Sequence, residues 1–235
     1  MRNIKKIHIA DKAHENRLRD IILGGQDGLV NVLGIVLGVA VASNNTEILI
    51  TAALAAAFAE AISMGAVAYT SEVSEHDRYL KEKEQEMKNA DENPEEEREE
   101  IRKIYEQKGF SGKLLEDVVA TITSNKKVWI DTMMDEELRV ADVPPKSVLL
   151  SSVIVGAASL VGALIPVVPF FFLPKDTAIT LALVLSMVSL FTLGAFEAKT
   201  YVGTWWKHGL RILLIGMGAA AAGYIIGVIF GNGNL

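Results

Sequence analysis

Apolar residues run through this chain in long blocks, and one polar block divides them. Apolar runs of about twenty residues with few charges recur five times, at 21–43, 47–70, 147–173, 177–197 and 208–230. Each is long enough to cross a hydrocarbon core of about 30 Å as a helix. Between the second and third runs the pattern changes: apolar positions return every three or four residues among charges, as in amphipathic helices of a small bundle. The fold class expected is all-α, a polytopic membrane protein of five transmembrane helices with a three-to-four-helix domain inserted between helices two and three. Its divisions fall at 1–71, 72–145 and 146–235.

Turn and cap residues set the inner boundaries. No Gly or Pro interrupts Ala66 through Asn89, so the second span is expected to leave the membrane as one helix and to couple the two regions rigidly. Asn93-Pro94-Glu95-Glu96 reads as an N-cap, a first-turn Pro and first-turn acids, and Gly109 closes that helix. Two further helices are expected at about 111–123 and 126–140, the last closed by Pro144-Pro145. Residues 11–20 read as a short interfacial helix. Pro166, Pro169 and Pro174 should disturb the outer end of the third span, and the small-residue pairs Gly24/Gly28, Gly34/Gly38 and Gly223/Gly227 should let helices approach closely in lipid.

Charge orients the chain. Six Lys and Arg residues precede the first span, none lies in the 44–46 turn, twelve lie in the inserted domain and none follows the fifth span. The positive-inside rule then places the N-terminus and the inserted domain in the cytosol and the C-terminus outside. The first twenty residues are polar and lack the apolar centre of a cleavable signal, so the first span is expected to direct insertion itself. The net charge is -6, and 21 of the 29 acidic residues lie between Glu72 and Asp142, which argues against nucleic acid as a partner. The absence of Cys excludes disulfides and thiolate metal sites.

The acids are not all alike. Asp27 lies inside the first span with Asn31 one turn on, and an ionisable group there costs a few kcal/mol if it faces lipid. It is expected to face a bundle interior or a water-filled path. In the second span Glu60 and Met64 are one turn apart, so one helix face carries a carboxylate and a thioether, a donor mixture suited to softer first-row divalent ions. In the inserted domain Glu97 and Glu100 lie beside the Ile101/Ile104 face, while Glu96 and Glu99 point elsewhere. Tyr79, Glu82 and Glu86 share one side of the second-span extension. Ile130, Met133, Met134, Glu137, Leu138 and Ala141 form one apolar stripe that holds a carboxylate. Three helices can thus converge on inward acids in the manner of di-iron bundles, although His76 is the only nearby histidine.

These residues resemble the vacuolar iron transporter family over nearly the whole chain. The resemblance is carried by Gly-Gly-Gln-Asp-Gly-Leu-Val-Asn at 24–31, Ala-Ile-Ser-Met at 61–64, the charged domain between spans two and three, and Met133-Met134 followed by Glu137. It implies a homodimer of five-span protomers, not an enzyme, that exports ferrous ion from the cytosol in exchange for protons. Asp27 and Met64 would be ion-path ligands, with Glu60 on the same stripe. Glu97, Glu100, Met133, Met134 and Glu137, with Glu86 and Glu82, would bind metal in the cytosol. The chain departs from the family at Ala68, where a Glu is usual, and at Asn89, where a further acid is usual. Partners expected are the lipid bilayer, protons and divalent metal as substrate, with no permanently bound cofactor. Ferrous ion is the first choice and manganese, zinc or cobalt ions are alternatives, in the cell membrane if the source is prokaryotic. The competing reading is a membrane-tethered ferritin-like module that binds or oxidises iron without moving it.

Overall fold

The computed structural model describes residues 2–138, 145–200 and 203–231, with side chains for 17–138, 148–199 and 203–231. Every element among these residues is helical. The chain forms two compact units, Met1–Tyr69 with Leu149–Leu235, and Thr70–Val148.

The first unit contains α1 (Arg2–Ala42), the start of α2 (Thr46–Glu92), and α6 (Pro145–Leu164), α7 (Lys175–Thr200) and α8 (Trp205–Gly231). Glycines set the spacing of these helices. A Cβ on Gly24 would collide with the Val155 carbonyl of α6, and one on Gly28 with that of Ser159. Contacts that climb both helices in four-residue steps mean that α1 and α6 run parallel. Gly34 and Gly38 of α1 meet Gly223 and Gly227 of α8 in the same way, so α8 is parallel too. A Cβ on Gly65 would lie 3.2 Å from the Ser152 carbonyl oxygen and one on Gly156 2.8 Å from that of Ala61; these steps descend one helix as they climb the other, so α2 is antiparallel to α6. Small residues permit this approach where lipid gives no hydrophobic drive between helices. The apolar centre joins Val32, Val36 and Ala40 of α1 to Leu49, Ala53 and Ala57 of α2, with Ala163 and Val167 beyond.

Two expectations change here. Residues 11–20 are not a separate interfacial helix but part of α1, because nothing between them and span one breaks the helix. The third span, expected at 147–173, ends as a helix at Leu164; Pro166 and Pro169 halt it, and a 3₁₀ turn, Val168–Phe171, follows. Arg17–Ala42, Thr46–Glu92, Lys175–Lys199 and Trp205–Gly231 are long and apolar enough to cross a membrane, while Val148–Leu164 is apolar but shorter. At the far end Lys175 Nζ donates to the Ser43 carbonyl at 2.8 Å and to Asn44 Oδ1 at 3.1 Å, tying the start of α7 to the α1–α2 turn.

The second unit contains the rest of α2, α3 (Pro94–Gln107), α4 (Gly112–Thr123) and α5 (Lys126–Met133). Pro94 opens α3, and Gly109, at φ +93°, follows its end, a left-handed position that favours glycine. Asn125 caps α5, its Oδ1 accepting from Lys127 N at 3.0 Å and Val128 N at 3.2 Å. Ile101, Leu115, Val119, Ile122, Trp129 and Met133 form one buried cluster, and Ala90, Ile130 and Met134 a second. The regular helix expected over 126–140 is not observed: α5 stops at Met133 and Met134–Leu138 is a π-helical turn. Val140, Ala141 and Pro144 lie outside the described residues.

Candidate functional site

Two carboxylate sets stand out, one in each unit. In the first unit the α1–α2 hairpin brings Asp27 against Glu60, their carboxyl groups within hydrogen-bonding range. Asn31 Nδ2 donates to Asp27 Oδ2 at 3.3 Å. Both acids are half-buried, as is Met64, which lies one turn along α2 from Glu60 on the same face. Ala68, one turn further, is also half-buried and offers no donor atom. Two acids this close cannot both ionise at low cost unless a cation or proton lies between them.

The second unit sorts its acids by partner. Asp91, Glu92, Glu95, Glu99, Glu116, Asp131 and Glu136 each have a basic partner, from Lys126, Lys88, Arg98, Arg102 (which takes both Glu99 and Glu116), Lys83 and Lys108. Glu86, Glu97, Glu100 and Glu137 have none among the described residues. These four sense one another electrostatically instead. Glu86 and Glu97 are 7% and 5% exposed, and each has an Oε2 atom buried without a hydrogen-bond partner. Burial first, then the charges of Glu86, Glu100 and Glu137, push the Glu97 carboxyl up to about 7. Burial and the Glu100 charge also raise Glu86, and a hydrogen bond with Glu97 partly offsets this. Burial is thus the largest cause that raises both carboxyls, and the hydrogen bond between them works against it at Glu86.

The sequence-derived metal set is placed unevenly. Glu82 and Glu100 are half-buried. Met133 and Met134 are 0% and 2% exposed, one in each apolar cluster. Glu86 lies one turn before Ala90, which packs with Met134, and Glu97 one turn before Ile101, which packs with Met133. Glu137 corrects the expectation that it lies within the apolar stripe: it is exposed, because the wider π turn rotates it out of phase with Met133 and Met134. Burial of its carboxyl end, ahead of the charges of Glu100 and Glu86, still raises its pKa. Among the described residues no three His or acidic side chains converge tightly enough to form a ready-made metal cage. The set is a collection of nearby carboxylates that a cation would have to draw together.

Asn89 is a gap in the acid pattern, yet it supports Glu97 directly. Its Oδ1 accepts from Gln85 Nε2 at 2.7 Å, which leaves its amide protons to donate, and its hydrogen bond to Glu97 favours the ionised carboxylate. The four-residue spacing of Gln85 and Asn89 was the available signal.

The chain matches the VIT family over residues 18–228. It is 31% identical to vacuolar iron transporter 2 of Oryza sativa subsp. japonica over 88% of this chain and 85% of that protein. It is also 31% identical to vacuolar iron transporter 1 of Tulipa gesneriana, over 88% and 84%. Vacuolar iron transporter of Plasmodium falciparum (isolate 3D7) is 29% identical over 96% and 88%. With nearly all of its described apolar helices and both carboxylate sets inside the matched region, the chain belongs to the VIT family, a family of membrane transporters and not of enzymes.

Proposed function

We propose that this protein moves a divalent metal ion, ferrous ion first, out of the cytosol in exchange for protons. The observation that carries this reading is the Asp27–Glu60 pair, two acids brought together within an apolar helix hairpin. Intramembrane acids are costly and mark ion paths, and a site built from acids binds metal only as it releases protons. The relatives' names supply the metal.

In this reading α1, α2, α6, α7 and α8 all cross the membrane, alternating in direction, with the 72–145 domain in the cytosol. The parallel sense of α1, α6 and α8 and the basic N-terminal segment support that arrangement. Glu86, Glu97, Glu100 and Glu137 capture the ion, with Glu82, Met133 and Met134 lining the same region, and Asp27, Glu60 and Met64 pass it on. The apolar part of α2 is mostly exposed, with Phe58, Ile62 and Val67 outward, which suits a second copy of the chain closing the path as a homodimer. Thioether sulfur admits manganese, cobalt and zinc ions as further substrates.

Uptake of ferrous ion into proteoliposomes, with and without a pH gradient, tests the reading. Uptake accelerated by an acidic interior supports proton exchange. Oxygen consumption with ferrous ion but no uptake would favour the tethered iron-oxidising module, the reading that the four neighbouring carboxylates of the second unit also permit.

A further inference from the structure

Basic side chains meet different fates in the two units. In the second, Lys83, Lys88, Arg98, Arg102, Lys108 and Lys126 each pair with an acid of the chain. In the first, Lys207 and Arg211 at the start of α8 are exposed and pair with no acid among the described residues. The helix end itself supplies no anion either. An acid in the first turn would answer the partial positive charge of the free N–H groups there, yet the first turn of α8 is Trp205-Trp206-Lys207-His208 and holds none. Lys207 adds a cation where the backbone already favours an anion.

Position says what kind of anion fits. Lys207 and Arg211 are one turn apart and within about 40° of each other around α8, so both can reach one group of atoms. Buried Gly209, Ile212 and Gly216 mark the inward face of the helix. At about 100° per residue, the two cations fall on the opposite side, with Leu214, 62% exposed, next along it. That side looks at lipid when α8 crosses a membrane, which its length and composition allow. Trp205 and Trp206 are both half exposed, and indoles of this kind concentrate at headgroup level. Lys207 Nζ lies 5.5 Å from the centre of the Trp206 ring. Arg211 is about 8 Å deeper along the axis; long helical side chains lean toward the N-terminus, which directs it back toward Lys207 and the headgroups.

We propose that Lys207 and Arg211 form a site for the headgroup of an anionic phospholipid, its phosphate held between the ammonium and the guanidinium fork beside Trp206. A guanidinium matches phosphate geometry with two parallel hydrogen bonds. A zwitterionic headgroup brings its own ammonium, which both side chains repel, and an anionic one does not. The inference rests on the topology proposed above, which puts this end of α8 at the cytosolic leaflet, and not on the cargo.

Tryptophan fluorescence tests it, because two of the three tryptophans flank the site and the third, Trp129, is buried in the second unit. The full chain in neutral detergent is titrated with phosphatidylglycerol carrying brominated acyl chains, which quench indoles, and with the matching phosphatidylcholine. The wild type should favour the anionic lipid about fivefold or more in apparent affinity, the order expected for two cations at an anionic surface. Lys207→Gln with Arg211→Gln should bring that preference to within about twofold of unity. Lys113→Gln with Lys127→Gln removes the same charge from exposed positions of the second unit and should keep it. Equal affinity of the wild type for both lipids, or an equal loss in the second-unit variant, would overturn the proposal. Inorganic phosphate, matched against chloride at one ionic strength, should leave the preference in place; its abolition would overturn the headgroup in favour of a free anion. If the α8 double variant melts early, Lys207→Arg with Arg211→Lys decides: both cations remain, so a retained preference supports the site and a lost one contradicts it. The titration needs neither metal nor transport, so its failure leaves the ion path standing and failed uptake leaves this site standing.

Discussion

The acids of the membrane unit and those of the acidic unit are held by different means. Asp27 and Glu60 meet because a short turn folds α1 back on α2 and glycines fix the depth at which neighbouring helices pack. Glu86, Glu97, Glu100 and Glu137 come from α2, α3 and a π turn, and remain near one another although their charges oppose it. The first set is positioned by backbone packing, which a side-chain change leaves intact. The second is a compromise between burial and repulsion, so protons and cations should reshape it.

That contrast predicts effects of different kinds and sizes. The largest belongs to the hairpin: Glu60→Gln should cut ferrous uptake by tenfold or more, about 1.4 kcal/mol or more in the barrier, while metal binding by the detergent-solubilised chain stays as in the wild type. Parallel loss of binding would mean that the two sets are not separable. Next is Glu97→Gln, expected to weaken metal binding about tenfold, as loss of one charged ligand does, with the binding isotherm as readout.

The pH dependence of stability sharpens the comparison further. The folded-state pKa of Glu97 is raised from 4.5 to about 7, so between those values the folded chain holds a proton that the unfolded chain has released. Stability should therefore fall as pH rises through this window and level off above it. A thermal melt series from pH 5 to pH 8, roughly one unit beyond the shifted value, should show the decline in metal-free protein. Added manganese ion should reduce it and Glu97→Gln should flatten it. A melting temperature that instead rises across the window would contradict the raised Glu97 pKa.

Smaller effects separate packing from chemistry. Gly28→Ala drives a Cβ into the Ser159 carbonyl and should cost about 1–3 kcal/mol. Gly218→Ala meets nothing within 4 Å and should be neutral or slightly stabilising. Met133→Leu preserves volume in the Ile101–Trp129 cluster and should cost less than about 1.5 kcal/mol. A loss of metal affinity in that variant without loss of stability would assign its sulfur to the metal.

The same division decided what the sequence made legible. Helix existence, the start at Asn93-Pro94, the stop at Gly109 and the small-residue pairs of α1 all follow from local rules, and so does the one-turn spacing of Glu60 and Met64. That Asp27 would meet Glu60 follows from the short turn at 43–45 once both helices are placed. The inward character of Glu97 was readable from its spacing against Ile101, and that of Glu86 from the side it shares with Tyr79 and Glu82. The π turn at Met134–Leu138 was not, because extra winding in a helix leaves no break in periodicity until its end is known. Hence Glu137 was set in the wrong phase. Asn89 is not legible for another reason: it is defined by a partner, Glu97, that local spacing does not reveal.

The most direct test of the central claim measures transport and binding together in Asp27→Asn. Ferrous uptake into proteoliposomes should be abolished while the solubilised protein still binds metal at its acidic unit with wild-type affinity. Uptake at the wild-type rate would contradict the path through the hairpin.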